Sequence, residues 1–228
     1  MRLNEKSLTD LPDEVARPTY DRSAVSTGIV HVGVGGFHRS HEAVYVDRLL
    51  AAKATEWGIC GVGLLPQDRA MHESLAAQDH LYTVVERHPD GSAQARVVGA
   101  IVEYLFAPDD TDAVIEKMAA ATTRTVSLTI TAGGYNLVGG DRRRRRGLAP
   151  FSVLSCDNIE ANGAVARRAF RGFAALRDAE LAEWIEQCVA FPHSMVDRIT
   201  PVSTDETGRS WPNGSASRVC PINGVTGL

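Results

Sequence analysis

Apolar and polar positions along this chain fall into strand-like and helix-like stretches taken in turn. Residues 28–34 form an apolar run that ends in glycines, the pattern of a parallel strand buried on both faces. Ala43, Val44, Val46, Leu49 and Leu50 then recur near helical spacing, which predicts a helix over about His38 to Lys53. Trp57 to Leu64 is a second short apolar run, followed by a helix over Asp68 to Gln78 with Asp68 placed to cap it. Leu81 to Arg87, the turn His88-Pro89-Asp90-Gly91, and Ala93 to Ala100 predict a β-hairpin. A helix opens at Pro108-Asp109-Asp110 and carries Val114, Ile115 and Met118, its acids first as the helix dipole prefers. Thr125 to Thr131 and Phe151 to Ser155 read as strands, and helices are expected near Gly163 to Leu176 and Ala179 to Val189. This βαβα alternation predicts an α/β fold with a doubly wound, mostly parallel sheet.

Two segments break the order. Gly139-Gly140-Asp141 is followed by five arginines, Arg142 to Arg146, and this stretch reads as a solvated, mobile loop within a short bridge at 137–150. From about Val202 onward the chain has no periodicity, which predicts an irregular tail at 202–228.

Composition removes several function classes. Hydrophobic residues make up 44% and charged residues 23%, with a formal charge of −4, as in an ordinary globular chain. No apolar run approaches the roughly 18 residues of a spanning helix. The opening Met1-Arg2-Leu3-Asn4-Glu5-Lys6 lacks the apolar core of a signal peptide. Cysteines 60, 156, 188 and 220 have no metal or redox spacing and read as reduced thiols of a cytoplasmic protein. The arginine run could neutralise phosphates, but the net acidic charge and the lack of interleaved aromatics argue against a nucleic-acid partner. His38 and His41 lie about one helical turn apart without a third ligand at metal spacing, so no metal is expected. Of the 24 basic residues only three are lysines, at positions 6, 53 and 117.

The chemistry-bearing signal is Gly33-Val34-Gly35-Gly36-Phe37-His38-Arg39, which follows a predicted strand and opens a predicted helix. Gly33 suits a tight turn, and Gly35 or Gly36 lets backbone approach a pyrophosphate near the helix N-terminus. His38 stands where the usual fingerprint has its third glycine. A tight strand-to-helix turn without a ligand is the plainer alternative. A dinucleotide fold also needs an acid after its second strand to bond the ribose hydroxyls. Glu56 precedes that strand and Asp68 follows it, so Asp68 is the candidate, with helix capping as its other reading.

Gly33 to His41 resembles the Gly-x-Gly-Gly-Phe-His-Arg-Ala-His signature of the polyol-specific long-chain dehydrogenases, the family of mannitol 2-dehydrogenase and fructuronate reductase. The resemblance continues in Cys60-Gly61-Val62-Gly63-Leu64, in Gln78 to Thr83, in Ser127 to Thr131, in Pro150 to Asn158 and in Phe191 to Pro201. It implies a Rossmann-type NAD-binding domain over 1–201 with the cofactor held by Gly33, Gly35, Gly36, Phe37, His38 and Arg39. It also implies that Asp68 favours NAD(H); the family's acidic pair is Gln67-Asp68 here. Asn158 matches the family's oxyanion donor, although a turn residue is its reading without the resemblance. The implied reaction is hydride transfer between a sugar alcohol and a keto sugar.

The family's base is a lysine in a Lys-x-x-x-x-Asn-x-x-His arrangement within a second, mainly helical domain, and no lysine follows Lys117. Ala132 and His193 stand where the family usually has glutamate and asparagine. The expectation is therefore an internally shortened, C-terminally truncated member that keeps cofactor binding and lacks turnover alone. A partner chain supplying the helical domain, or a marginally folded product, remains open beside it.

Overall fold

The strand that organises the chain is β1, Ser26–Val32, whose inward positions Val30, His31 and Val32 are all buried. In the computed structural model, which describes residues 3–88, 90–129, 138–197, 200 and 225–227, β1 is the central strand of a five-stranded parallel sheet. It pairs on one side with β2, Trp57–Gly63, and β2 pairs with an outer strand β5, Ile101–Phe106. On its other side lies β6, Thr125–Leu128, followed by β7, Ser152–Ser155. The order β5-β2-β1-β6-β7 reverses direction at β1, which makes the gap between β1 and β6 the switch point of a doubly wound sheet.

Helices cover both faces. After β1 the chain forms α1, Gly36–Ser40, and α2, Glu42–Ala51. These are two pieces rather than one helix from His38 to Lys53, because His41 leaves helical geometry at φ −121° and ψ −81°. The Ser40 hydroxyl bonds back to the Gly36 carbonyl at 2.9 Å, a contact that bends helices, and meets Thr200 Oγ1 at 2.6 Å. With α3, Arg69–Ala76, this layer packs Val44, Leu50 and Leu75 against Ile59 and Ile101. The opposite layer holds α4, Thr111–Ala119, α6, Asn162–Ala175, and α7, Ala179–Cys188. There Val114, Met118, Phe170, Leu181 and Ile185 bury Val32, Val126 and Val153. Each such apolar side chain contributes about 1.5–3 kcal/mol by leaving water.

The hairpin forms as expected, β3 Tyr82–Arg87 against β4 Ala93–Val98, with Tyr82 opposite Val98 and Arg87 opposite Ala93. It stands outside the main sheet, in a second sheet that β8, Val225–Gly227, joins alongside β3. Residue 89 of its turn lies outside the described residues, as do 130–131 of the expected strand, Ala132, and most of the tail at 202–228. Asp47 of α2 fastens the hairpin down: its Oδ1 accepts from the Gly99 amide at 2.9 Å and from the Tyr20 hydroxyl at 2.7 Å.

Strand β5 has no counterpart among the sequence expectations. Its Ile-Val-Glu-Tyr-Leu-Phe stretch follows the hairpin after a two-residue break, and the β-branched and aromatic residues were masked by the strand before it.

The arginine run is a second correction. It is not a solvated loop but part of a helix, α5, Val138–Arg145, packed against α4. The acids of α4 neutralise it: Arg142 meets Asp112 at 2.7 Å and also pairs with Glu116, which Arg146 reaches at 2.9 Å. Arg144 binds Asp178 at 2.5 Å. Arg143 is only 2% exposed, donates from Nε to the Ala149 carbonyl at 2.8 Å and from Nη1 to the Ala120 carbonyl, and lies 5.8 Å from the centre of the Phe151 ring. Replacing Arg143 with alanine removes its bonds to the Ala149 and Ala120 carbonyls and its packing on Phe151, so urea unfolding should show a loss of about 1–3 kcal/mol. Arg145→Ala, at a side chain 71% exposed, should change stability by less than about 0.5 kcal/mol.

Candidate functional site

In a parallel sheet every strand delivers its C-terminal end to the same edge, and the glycine loop leaves β1 there beside the switch point. Gly33 continues the ladder through its amide, which donates to the Val62 carbonyl at 3.0 Å, then turns with φ +92°, a conformation that disfavours a side chain. The Gly35 amide donates back to the Gly33 carbonyl at 2.8 Å. Gly35 is the N-cap of α1 and Gly36 its first residue. A Cβ built on Gly35 meets only the Gly33 oxygen, at 3.9 Å, so the space in front of that residue is open. An open cradle of backbone at this edge is what a pyrophosphate requires.

The expected loop residues divide by the direction of their side chains. Phe37 is half-buried and packs edge-on against the His41 ring at 4.7 Å. His38 and Arg39 turn inward. Arg39 Nε donates to the Gly35 carbonyl at 3.2 Å, and its guanidinium lies 5.9 Å from the Tyr82 ring centre. What His38 and Arg39 present to the crevice is therefore backbone rather than side chain, since both side chains are buried.

Beneath the loop lies a cluster that spacing alone did not reveal. His31, His38 and Glu42 bring one ligand-type atom each to within 4.8 Å of one another. The two imidazoles stack at 3.5 Å with only 12° between their planes. Glu42 Oε2 is 3.1 Å from His31 Nδ1, out of line for a hydrogen bond, and 3.8 Å from His38 Nε2. Burial acts to raise the Glu42 carboxyl, but the neighbouring His31, His38 and the Ser127 hydroxyl outweigh it and hold it at about 2. Burial and the nearby His31 push His38 well below the usual imidazole range, against the pull of Glu42. Among the described residues, neither His38 ring nitrogen has a hydrogen-bond partner. The donor types suit a transition metal. Parallel stacked rings, however, send their lone pairs side by side rather than toward one point, so one ring must turn before both could hold an ion.

Asp68 sits just beyond β2 at the crevice edge. Its carboxylate does not cap α3 by a side-chain bond; Oδ2 instead accepts from the Leu64 and Leu65 amides, each at 2.9 Å. Two amides leave a carboxylate with acceptor capacity to spare. Asn158 lies past the end of β7 on the same edge and is exposed. Its neighbour Asn162 is the structural one: buried, it donates to the Ser194 carbonyl at 2.9 Å and accepts the Ser194 amide at 3.0 Å. The three lysines stand elsewhere. Lys117 pairs with Glu103 at 2.6 Å, and Lys6 and Lys53 are exposed, one in the N-terminal segment and one after α2.

Sequence and structural comparison agree on the kinship of this arrangement. Residues 27–212 match the family model described as the mannitol dehydrogenase Rossmann domain. Mannitol 2-dehydrogenase of Pyricularia oryzae is 45% identical over 243 aligned positions, covering 90% of this chain and 48% of its own length. The Aspergillus terreus enzyme of the same name is 47% identical, with 88% of this chain and 48% of that one covered. Among solved structures, the ternary complex of Pseudomonas fluorescens mannitol 2-dehydrogenase with NAD and D-mannitol superposes with a TM-score of 0.84 at 40% identity, over 90% of this chain and 49% of that one. A substrate-free D-sorbitol dehydrogenase gives 0.89 at 37% identity, over 100% and 53%. The chain spans about half the length of the curated relatives it matches, and it belongs to the mannitol dehydrogenase family.

Proposed function

We propose that these 228 residues are the cofactor-binding half of an NAD(H)-dependent polyol dehydrogenase. The observation that carries the reading is the open backbone cradle at Gly35, set at the β1/β6 switch point with Asp68 at the end of the neighbouring strand. Residues 1–201 form the dinucleotide domain in this reading. Gly33, Gly35 and Gly36 let the loop backbone approach the pyrophosphate closely, with Phe37, His38 and Arg39 continuing the backbone cradle into α1. Asp68 takes the ribose hydroxyls. When bound, the nicotinamide supplies the hydride acceptor or donor. Asn158 stands on the edge where a developing alkoxide would form, as an amide donor to it.

The substrate is a sugar alcohol or keto sugar, as the names of the relatives suggest. Proton transfer needs a base, and none of the three lysines faces the crevice. We place the base, and the second wall of the substrate pocket, in residues beyond these 228 or in a partner chain. Leu65, Ile159 and Met195, exposed by 52, 45 and 86%, belong to segments at this edge and offer apolar surface to such a wall. The free thiols of Cys60, Cys156 and Cys188 suit a reducing, cytoplasmic setting. Among the described residues no helix is long and apolar enough to cross a membrane.

Three measurements test the reading. In a fluorescence titration the chain should bind NADH at least about tenfold more tightly than NADPH, because the Asp68 carboxylate repels a 2′-phosphate; this corresponds to about 1.4 kcal/mol. Asp68→Ala should erase most of that difference, and equal affinities in the parent would overturn the assignment. Gly35→Val should keep its unfolding midpoint, since only one atom lies within 4 Å of the new Cβ, yet lose NADH binding by about a hundredfold or more. Loss of folding together with binding would make the loop a structural turn. Finally, NADH oxidation with fructose, and NAD reduction with mannitol, should fall below about 10⁻² per second, far under the usual 1–10³. A missing base alone costs about 10²–10⁴-fold. Turnover in the ordinary range would show that a residue within this chain serves as base.

A further inference from the structure

We propose that His31 is a positioning residue for the dinucleotide loop and acts through the carbonyl of Gly33. The proposal rests on the cofactor reading above. Three donors converge on that carbonyl: the Gly35 amide at 2.8 Å, His31 Nε2 at 3.2 Å and the Thr129 hydroxyl. Because Thr129 spends its proton on Gly33, its oxygen accepts from His31 Nε2 at 3.0 Å. Both partners of Nε2 are thus acceptors, which assigns a proton to that nitrogen.

The opposite side of the ring fixes its orientation. Nδ1 lies 2.8 Å from Ser127 Oγ on β6 and 3.1 Å from Glu42 Oε2 on α2, and the His38 ring of α1 stacks on its face. One imidazole therefore joins the first residue of the loop, the two helical pieces after it and the strand across the switch point. The consequence for a ligand follows from peptide geometry. In a trans peptide the N–H points opposite to the C=O, so holding the Gly33 oxygen inward turns the Val34 amide outward. At φ +92° the Gly33 peptide has no side chain to restrain it, and the donors from His31 and Thr129 take that role.

A residue that merely fills space would be indifferent to which nitrogen survives, and this distinguishes the two possibilities. Glutamine places its amide nitrogen near the position of Nε2, whereas asparagine reaches only about as far as Nδ1. His31→Gln and His31→Asn both remove the ring and should lose similar stability in urea. NADH affinity in titration should stay within about threefold of the parent for Gln and weaken by about tenfold or more for Asn. Thr129→Val, which keeps shape and removes one donor, should also weaken NADH severalfold with little change in the unfolding midpoint. Amide hydrogen exchange over residues 33–41 should quicken in the Asn and Val variants and not in the Gln variant. Equal affinity losses for Gln and Asn, or none for either, would overturn the proposal. If the parent itself fails to bind NADH, the cofactor reading falls, and hydrogen exchange then decides the role of His31 alone: equal rates in all variants reject it.

Discussion

A strand buried on both faces of a parallel sheet leaves no room for a polar side chain that lacks partners. His31 occupies such a place on β1, fully buried, and the surrounding architecture supplies what it needs. Its hydrogen-bond partners are Ser127 from β6 and Gly33 and Thr129 from the turns that leave β1 and β6, and the Glu42 carboxylate of α2 lies beside the ring at 3.1 Å. An unmet buried polar atom costs about 1–3 kcal/mol, so each of these contacts favours one register of strands and one placement of α2. The glycine loop inherits its geometry from that requirement. Among the described residues the same cluster gives neither nitrogen of His38 a hydrogen-bond partner, a cost the stacked rings accept beside a carboxylate held ionised.

Much of this was legible in the sequence, for definite reasons. The glycine-ended apolar run, the hairpin with its turn, and the helix opened by Asp110 each carry a local signal, and Asp110 does accept the Ala113 amide at 2.9 Å. Local signals also marked the glycine loop and Asp68. Two of the misreadings, the arginine run and the His31 cluster, share a cause, which is that a deciding partner lay far away in sequence. Five arginines read as a solvated loop because the one acid beside them, Asp141, meets only Arg144 and Arg145; Asp112 and Glu116 of α4 and Asp178 at the start of α7 take the rest of the pairing. The His31 cluster stayed hidden because Ser127 stands 96 residues from the ring it meets. Asp68 looked like a helix cap and instead folds back onto the amides at the end of β2.

The hairpin shows how a second sheet is attached without disturbing the first. Its core is small, Leu3 and Val15 from the N-terminal segment against Leu81, Ala95 and Val97, and Ala16 bridges to Arg96. The carboxylate of Asp47 couples this unit to α2, so the layer that carries Glu42 is braced from outside as well as from the sheet. Rigidity at the crevice is thereby shared between the two sheets.

The position of β1 also governs how the chain can assemble as it is made. Its partner β2 follows within a few tens of residues, but β6 supplies Ser127 only 96 residues after His31. At ribosomal speeds of about 5–20 residues per second, that interval lasts about 5–20 seconds. Throughout it, the β6-facing edge of the central strand has exposed backbone donors and acceptors, a ready template for pairing with another nascent copy. The polar ring placed on that strand makes such pairing poorer, since a foreign strand would have to satisfy it too. The residue that orders the finished crevice thus also discourages wrong partners while the chain is incomplete.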